Sequence, residues 1–137
     1  LKAKEYYELS AKLNNSFALN NLGDLYKKGH GVKKDYLKAK EYYELSSELN
    51  DFNALNNLGD LYYHGLGVEQ NYTKAKEYYE LASRQNNPIA LYNLGNSYNK
   101  KGETDKAVEI YEQVVELFPH TEKARKSQNY IREIKGE

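Results

Sequence analysis

The 137 residues contain no cysteine, no methionine and no tryptophan, only two prolines, and no net charge, since twenty Lys and Arg face twenty Asp and Glu. Each absence removes a class of explanation. Without cysteine there is no disulfide framework, no thiolate zinc site and no cysteine nucleophile. With the charges balanced, the chain lacks the overall basic stripe of a nucleic-acid binder and the cationic excess that holds a protein on anionic lipid, so no nucleic-acid partner is expected. No apolar run approaches the roughly 18 residues needed to cross a bilayer, so direct membrane insertion is not expected of these residues either. The chain starts at Leu1 and has no methionine, which leads us to expect a piece of a longer protein. The missing targeting segment therefore does not choose between a cytoplasmic and a secreted location.

What the sequence has is repetition. Residues 2–10 read KAKEYYELS, residues 38–46 read the same nine letters, and residues 74–82 read KAKEYYELA. A second block, ALNNLGDLY, stands at 18–26 and again at 54–62, and returns as ALYNLGNSY at 90–98. The offset is 36 residues throughout, which marks a stack of like units, each unable to bury its apolar face alone.

Both blocks read as amphipathic helices. In 38–49, Ala39, Tyr42, Tyr43 and Leu49 form an apolar stripe among Lys40, Glu41, Glu44 and Glu48; in 54–62, Leu55, Leu58, Leu61 and Tyr62 do the same. We name the second type helix A and the first helix B. Between them lie GHGV (29–32) and GLGV (65–68), whose paired glycines end helix A. Val32 and Val68 are placed to tuck this loop onto the core, and Asp35 and Asn71 to cap helix B. A Gly-rich loop before a helix can also cradle phosphate, but GxxxxGK[ST] is absent and the loop recurs as a joint. Gly23, Gly59 and Gly95 interrupt helix A, where glycine costs about 1 kcal/mol against alanine. The expectation is that each faces Ala39, Ala75 or Ala107, two small residues allowing close helix approach.

These residues resemble the Sel1-like repeat. Ala18, Leu22, Gly23, Tyr26, Gly29, Gly31, Val32, Asp35, Ala39 and Tyr43 match its pattern, and the set returns 36 residues later with Asn71 in the aspartate position. The third copy is similar to a tetratricopeptide repeat instead. It loses the GxGV loop and keeps Gly102, and Leu91, Leu94, Gly95, Tyr98, Ala107, Tyr111 and Pro119 fit that pattern, with Leu91 in a tryptophan position and Val114 in an alanine position. The resemblance implies an all-α fold, an α-solenoid in which antiparallel helix pairs build a right-handed superhelix. It divides one solenoid domain into a helix B of an upstream repeat at 1–13, Sel1-like repeats at 16–50 and 52–86, a tetratricopeptide-like repeat at 88–119 and a capping helix at 120–135. In that last helix Ala124, Ile131 and Ile134 face inward and Thr121 is placed to cap. The lone helix B at the start leads us to expect further repeats upstream.

In such families helix A lines a concave binding face. The resemblance then implies a partner surface of Asn20, Asp24, Lys27, Asn56, Asp60, Tyr63, Tyr92, Asn96 and Asn99, with Asn21, Asn57 and Asn93 beside it. Asparagine offers both donors and acceptors, so an amide ladder suits the backbone of an extended peptide, with Tyr63 and Tyr92 as anchors. The same amides can equally solvate a surface or bridge neighbouring helices. Some tetratricopeptide domains clamp a terminal carboxylate with Lys and Arg on helix A. The corresponding residues here are Asn20, Asp24, Asn57, Ile89 and Asn93, without a cation, so an EEVD-type tail is not an expected partner.

Catalysis is not signalled. His30, His64 and His120 share no metal-binding spacing, and neither a metal nor a cofactor is expected. The glutamates of helix B alternate with lysines on a solvated face, and Ser10, Ser46 and Ser47 recur with the repeat. The sequons Asn14-Asn15-Ser16 and Asn71-Tyr72-Thr73 matter only in a eukaryotic secretory compartment. The reading is a non-enzymatic scaffold that binds a protein or extended peptide. A structural spacer inside a larger assembly is the alternative, and a glycan-binding or cell-wall-associated bacterial factor a minor one implied by the resemblance.

Overall fold

The computed structural model describes residues 2–85 and 87–137, and among them it is helical without a strand. Eight helices are described: α1 (Lys2–Ala11), α2 (Ser16–Lys28), α3 (Tyr36–Glu48), α4 (Phe52–His64), α5 (Tyr72–Ser83), α6 (Pro88–Lys100), α7 (Thr104–Leu117) and α8 (Glu122–Lys135). They fall into two compact units, the first ending at Asn71 and the second beginning at Tyr72. In the first, α1 packs on α2, α2 on α3 and α3 on α4. In the second, α5 packs on α6, α6 on α7, and α8 covers α7 while touching α6. Neighbour-to-neighbour packing of this kind is the all-α helical-repeat fold that the periodicity demands.

Five helix starts carry side-chain caps. Asp35 accepts from Lys38 N at 3.0 Å and Thr121 from Ala124 N at 3.1 Å, as the sequence implies. Three further caps carry no such forecast: Asn15 accepts from Ala18 N, Asp51 from Asn53 N at 2.9 Å, and Asn87 from Ile89 N at 2.8 Å ahead of Pro88. Each satisfies amide groups that the first turn leaves without a helical partner.

The ends of α2 and α4 are set by the loop glycines. Gly29 (φ 72°) and Gly65 (φ 67°) close α2 and α4 in the left-handed region, and their amides bond back to Leu25 and Leu61. The chain then folds over the helix end through one bond. Asp35 N donates to Tyr26 O at 2.9 Å, Asn71 N to Tyr62 O at 2.9 Å, and Glu103 N to Tyr98 O at 2.9 Å. The third connection has lost the GxGV loop and still makes this bond, so the bond rather than the loop length defines the joint.

Tyrosine takes the place of the missing tryptophan. Tyr43, Tyr79 and Tyr111 are the largest fully buried side chains, next to fully buried Ala39, Ala75 and Ala107. The expected pairing of glycine with alanine is corrected here. A Cβ built on Gly23 would stand 2.6 Å from Cδ1 of Tyr43, and one on Gly95 would stand 2.7 Å from Cε1 of Tyr111. The glycine is there to seat an aromatic ring, one helical turn beyond the alanine. In the second unit Leu91, Tyr92, Ala107, Tyr111, Val114, Ala124 and Ile131 form one core, with Ile134 packed against it, so α8 closes that core with the residues its sequence pattern names.

Candidate functional site

The polar positions of helix A sort into three groups once their contacts are known. In the first group the polar atom holds the ring just described. The Tyr43 hydroxyl donates to Asp24 Oδ1 at 2.5 Å, and the Tyr111 hydroxyl donates to Asn96 Oδ1 at 2.5 Å. The residue after the glycine thus fixes the tip of the tyrosine whose ring lies on that glycine. Burial first, and then the bond to Asp24, push the Tyr43 hydroxyl well above the usual phenol range. Asp24 and Asn96, both expected on the partner surface, therefore carry a structural duty toward a core tyrosine.

In the second group amides bridge helices. Asn57 Nδ2 on α4 donates to Asn20 Oδ1 on α2 at 2.9 Å. Asn20, Asn57, Asn56 and Asp60 are all half-buried on α2 and α4.

The third group is aromatic. Tyr63 is half-buried beside His64, their ring centroids 4.9 Å apart. Tyr92 is buried, unlike the other eight predicted contact residues, which are all half-buried. Its ring lies 6.2 Å from both Tyr111 and Tyr130, and the Lys123 ammonium stands 4.7 Å above it. Burial is the main cause that raises the Tyr92 hydroxyl above its ordinary value. A cleft of about 300 Å³ opens there, lined by Tyr92, Lys126, Asn129, Tyr130 and Glu133. Four of those five belong to α8, which sequence reading treats as a cap alone. The available signal is Tyr130, which precedes the inward Ile131 and stacks on Tyr111 at 5.4 Å. Lys27 and Asn99 are half-buried at the last turns of α2 and α6.

Tyr98, on α6, is tied the other way, toward helix B. Its hydroxyl donates to Glu80 at 3.0 Å and its pKa is pushed up to about 12, by burial first and then by Glu80, Glu103 and Glu109. The folded state holds this proton more tightly than the unfolded chain, whose phenol titrates near 10. The stabilisation is complete below that pH and is lost as pH rises from about 10 to about 12. Denaturant unfolding across this window should show falling stability, and Tyr98→Phe should flatten the fall. An unchanged profile in the variant would contradict the assignment.

Among the described residues no cluster of His, Cys, Asp and Glu could hold a metal, and no helix is long and apolar enough to cross a membrane. The Sel1 repeat family model matches residues 1–15, 16–51 and 53–87, and the tetratricopeptide repeat model matches residues 88–121. No curated protein sequence matches the chain. The fold is similar to a Sel1 repeat protein from Oxalobacter formigenes, at 26% identity and TM-score 0.81 over 96% of this chain and 54% of that one. It is also similar to c5321, described as a protective antigen of uropathogenic Escherichia coli with an SLR fold, at 28% identity and TM-score 0.82 over 96% of this chain and 28% of that one. The chain thus spans about half the length of the first and little more than a quarter of the second. The first tetratricopeptide domain of Spaghetti (RPAP3), bound to the HSP90 peptide SRMEEVD, shares the fold at 19% identity and TM-score 0.70, over 90% of this chain and 92% of that one.

Proposed function

Because the chain belongs to the Sel1 repeat family and closes with a tetratricopeptide repeat, we propose that it is an interaction scaffold that takes an extended segment of a partner protein on the polar faces of its A helices. Repeats of these two families are generally protein-interaction scaffolds and typically non-catalytic. The observation that carries the proposal is the Asn20–Asn57 bridge. Asn20 spends one acceptor in that bond and keeps both amide hydrogens; Asn57 spends one hydrogen and keeps its carbonyl oxygen. A half-buried donor next to a half-buried acceptor is what an extended peptide backbone pairs with. The positions that correspond to a carboxylate clamp, Asn20, Asp24, Asn57, Ile89 and Asn93, supply no cation, so the segment bound is an internal stretch and not a carboxylate-terminated tail like the peptide on Spaghetti.

A random dodecapeptide library displayed on phage and selected on the folded chain tests this. Selected peptides should lose at least about tenfold in affinity for an Asn56→Ala/Tyr63→Ala variant, the loss of one hot-spot contact. Selected peptides that bind this variant unchanged, or a selection that yields none, would leave the spacer reading in its place.

A further inference from the structure

The balanced total charge hides a local imbalance. Residues 27–40 hold six lysines against one aspartate, whereas the same stretch one repeat later, 63–76, holds two lysines against one glutamate. Four positions make the difference: Lys27, Lys28, Lys33 and Lys34 stand where the second copy has Tyr63, His64, Glu69 and Gln70. Folding does not ask for these lysines. Both loops turn through paired glycines of positive φ, at 72° and 74° in the first and at 67° and 70° in the second. Both make the same closing bond of 2.9 Å to a tyrosine carbonyl. A Cβ on the first glycine would sit 3.2 Å from the Cβ of Lys34 in one and of Gln70 in the other. The same backbone accepts Glu and Gln where the first loop places two cations.

The lysines line a depression. A cleft of about 440 Å³ lies between this loop and α1, walled by Lys4, Lys33, Lys34 and Lys38 against one carboxylate, Asp35, which is occupied in capping α3, with Tyr26 at its side. Lys38 leans on the Tyr26 ring at 5.2 Å and Lys34 on the Tyr36 ring at 5.2 Å, so two ammonium groups are held in place by aromatic faces. Lys4 and Lys40 pair with Glu8 and Glu44 one turn along their own helices. No ion pair is formed by Lys28, Lys33, Lys34 or Lys38 among the described residues.

We propose that this lysine-lined cleft of the first full repeat docks a short acidic segment, rich in Asp and Glu, of a partner protein. It rests on the scaffold reading and adds to it a second, charge-selective contact. The footprint argues for a short segment. Glu5 and Glu8 on α1 and Glu41, Glu44 and Glu48 on α3 lie within a few turns of the cleft, and they repel a polyanion or an anionic membrane that extends past it. The first arginine of the chain is Arg84, so the cleft offers compact ammonium charges and none of the forked guanidinium groups that favour phosphate.

The test grafts the second loop onto the first. Lys28→His/Lys33→Glu/Lys34→Gln copies residues that the same backbone already carries, so the variant should keep the parent's thermal midpoint. A fluorescent dodecapeptide of alternating Glu and Gly should bind the parent chain in low salt, weaken as salt rises, and lose at least about tenfold on the graft. The reciprocal change, His64→Lys/Glu69→Lys/Gln70→Lys, should raise its affinity. Equal binding to parent and graft, or tighter binding of the parent to a DNA duplex or to phosphatidylserine vesicles than to the peptide, would overturn the proposal. Peptides selected for the polar face of the A helices should bind the graft as they bind the parent. Loss of the cleft is thereby distinguished from loss of the scaffold reading, and failure of both kinds of peptide on the parent removes both.

Discussion

Tyr43→Ala is expected to remove about 3–5 kcal/mol of stability, the usual cost of emptying a core site filled by a large aromatic ring. The ring is fully buried, lies against Gly23, and is fixed at its tip by Asp24 at 2.5 Å. Small domains have roughly 5–15 kcal/mol to lose, so the first unit should be left marginal at best. Tyr43→Phe separates ring from hydroxyl. It keeps the packing and removes only the bond to a half-buried carboxylate that water can partly rehydrate, for an expected loss of about 1–2 kcal/mol. Urea unfolding of the three proteins reads both numbers. A Phe variant as damaged as the Ala variant would mean that the hydroxyl, and not the ring, organises the site.

Gly23→Ala should also destabilise, by a net of up to about 2 kcal/mol, and here the sign is the test. In an ordinary exposed helix interior the substitution gains about 1 kcal/mol of helix propensity. At Gly23 the new Cβ would stand 2.6 Å from Cδ1 of Tyr43 and closer still to Cε1, and overfilling a packed site costs about 1–3 kcal/mol. Gly95→Ala should behave alike against Tyr111, because the two sites share the same geometry. A rise in thermal midpoint for either variant would show that the ring can move aside at little cost and that the glycine is merely tolerated.

The two effects also mark where sequence reading stops. The helix pairs, the double-glycine joint and the caps at Asp35 and Thr121 were legible because each depends on residues a few positions apart. The partner of Gly23 was not. Ala39 and Tyr43 lie one turn apart on the same face of α3, and periodicity alone does not tell which of them a residue on another helix meets. Asp24 and Asn96 read as outward polar positions for the same reason. Their duty is to a hydroxyl supplied from the next helix, 19 and 15 residues along the chain. A signal did exist: the polar residue follows the glycine in every repeat, and every following helix B carries a tyrosine in the matching place. Lys33 and Lys34 carry information of the opposite kind, because Glu69 and Gln70 in the next copy differ from them.

Of the nine residues expected to face a partner, Asp24, Asn96 and Asn20 make side-chain bonds within the protein, Tyr63 and Tyr92 make ring contacts, and Asn56 and Asp60 are engaged as well. Asn20 still has donors to offer, whereas Asp24 and Asn96 are better understood as the posts that hold Tyr43 and Tyr111. Substituting them would lower binding through the fold, so they make poor probes of function.

Amide hydrogen exchange, measured with and without a library-selected peptide, tests the central claim most directly because it reports which helices a ligand covers. The expected result is slower exchange in α2 and α4, with α1, α3, α5 and α7 unchanged. Protection confined to those four helices, with α2 and α4 exchanging as in the free chain, would contradict the assignment of the binding face to helix A.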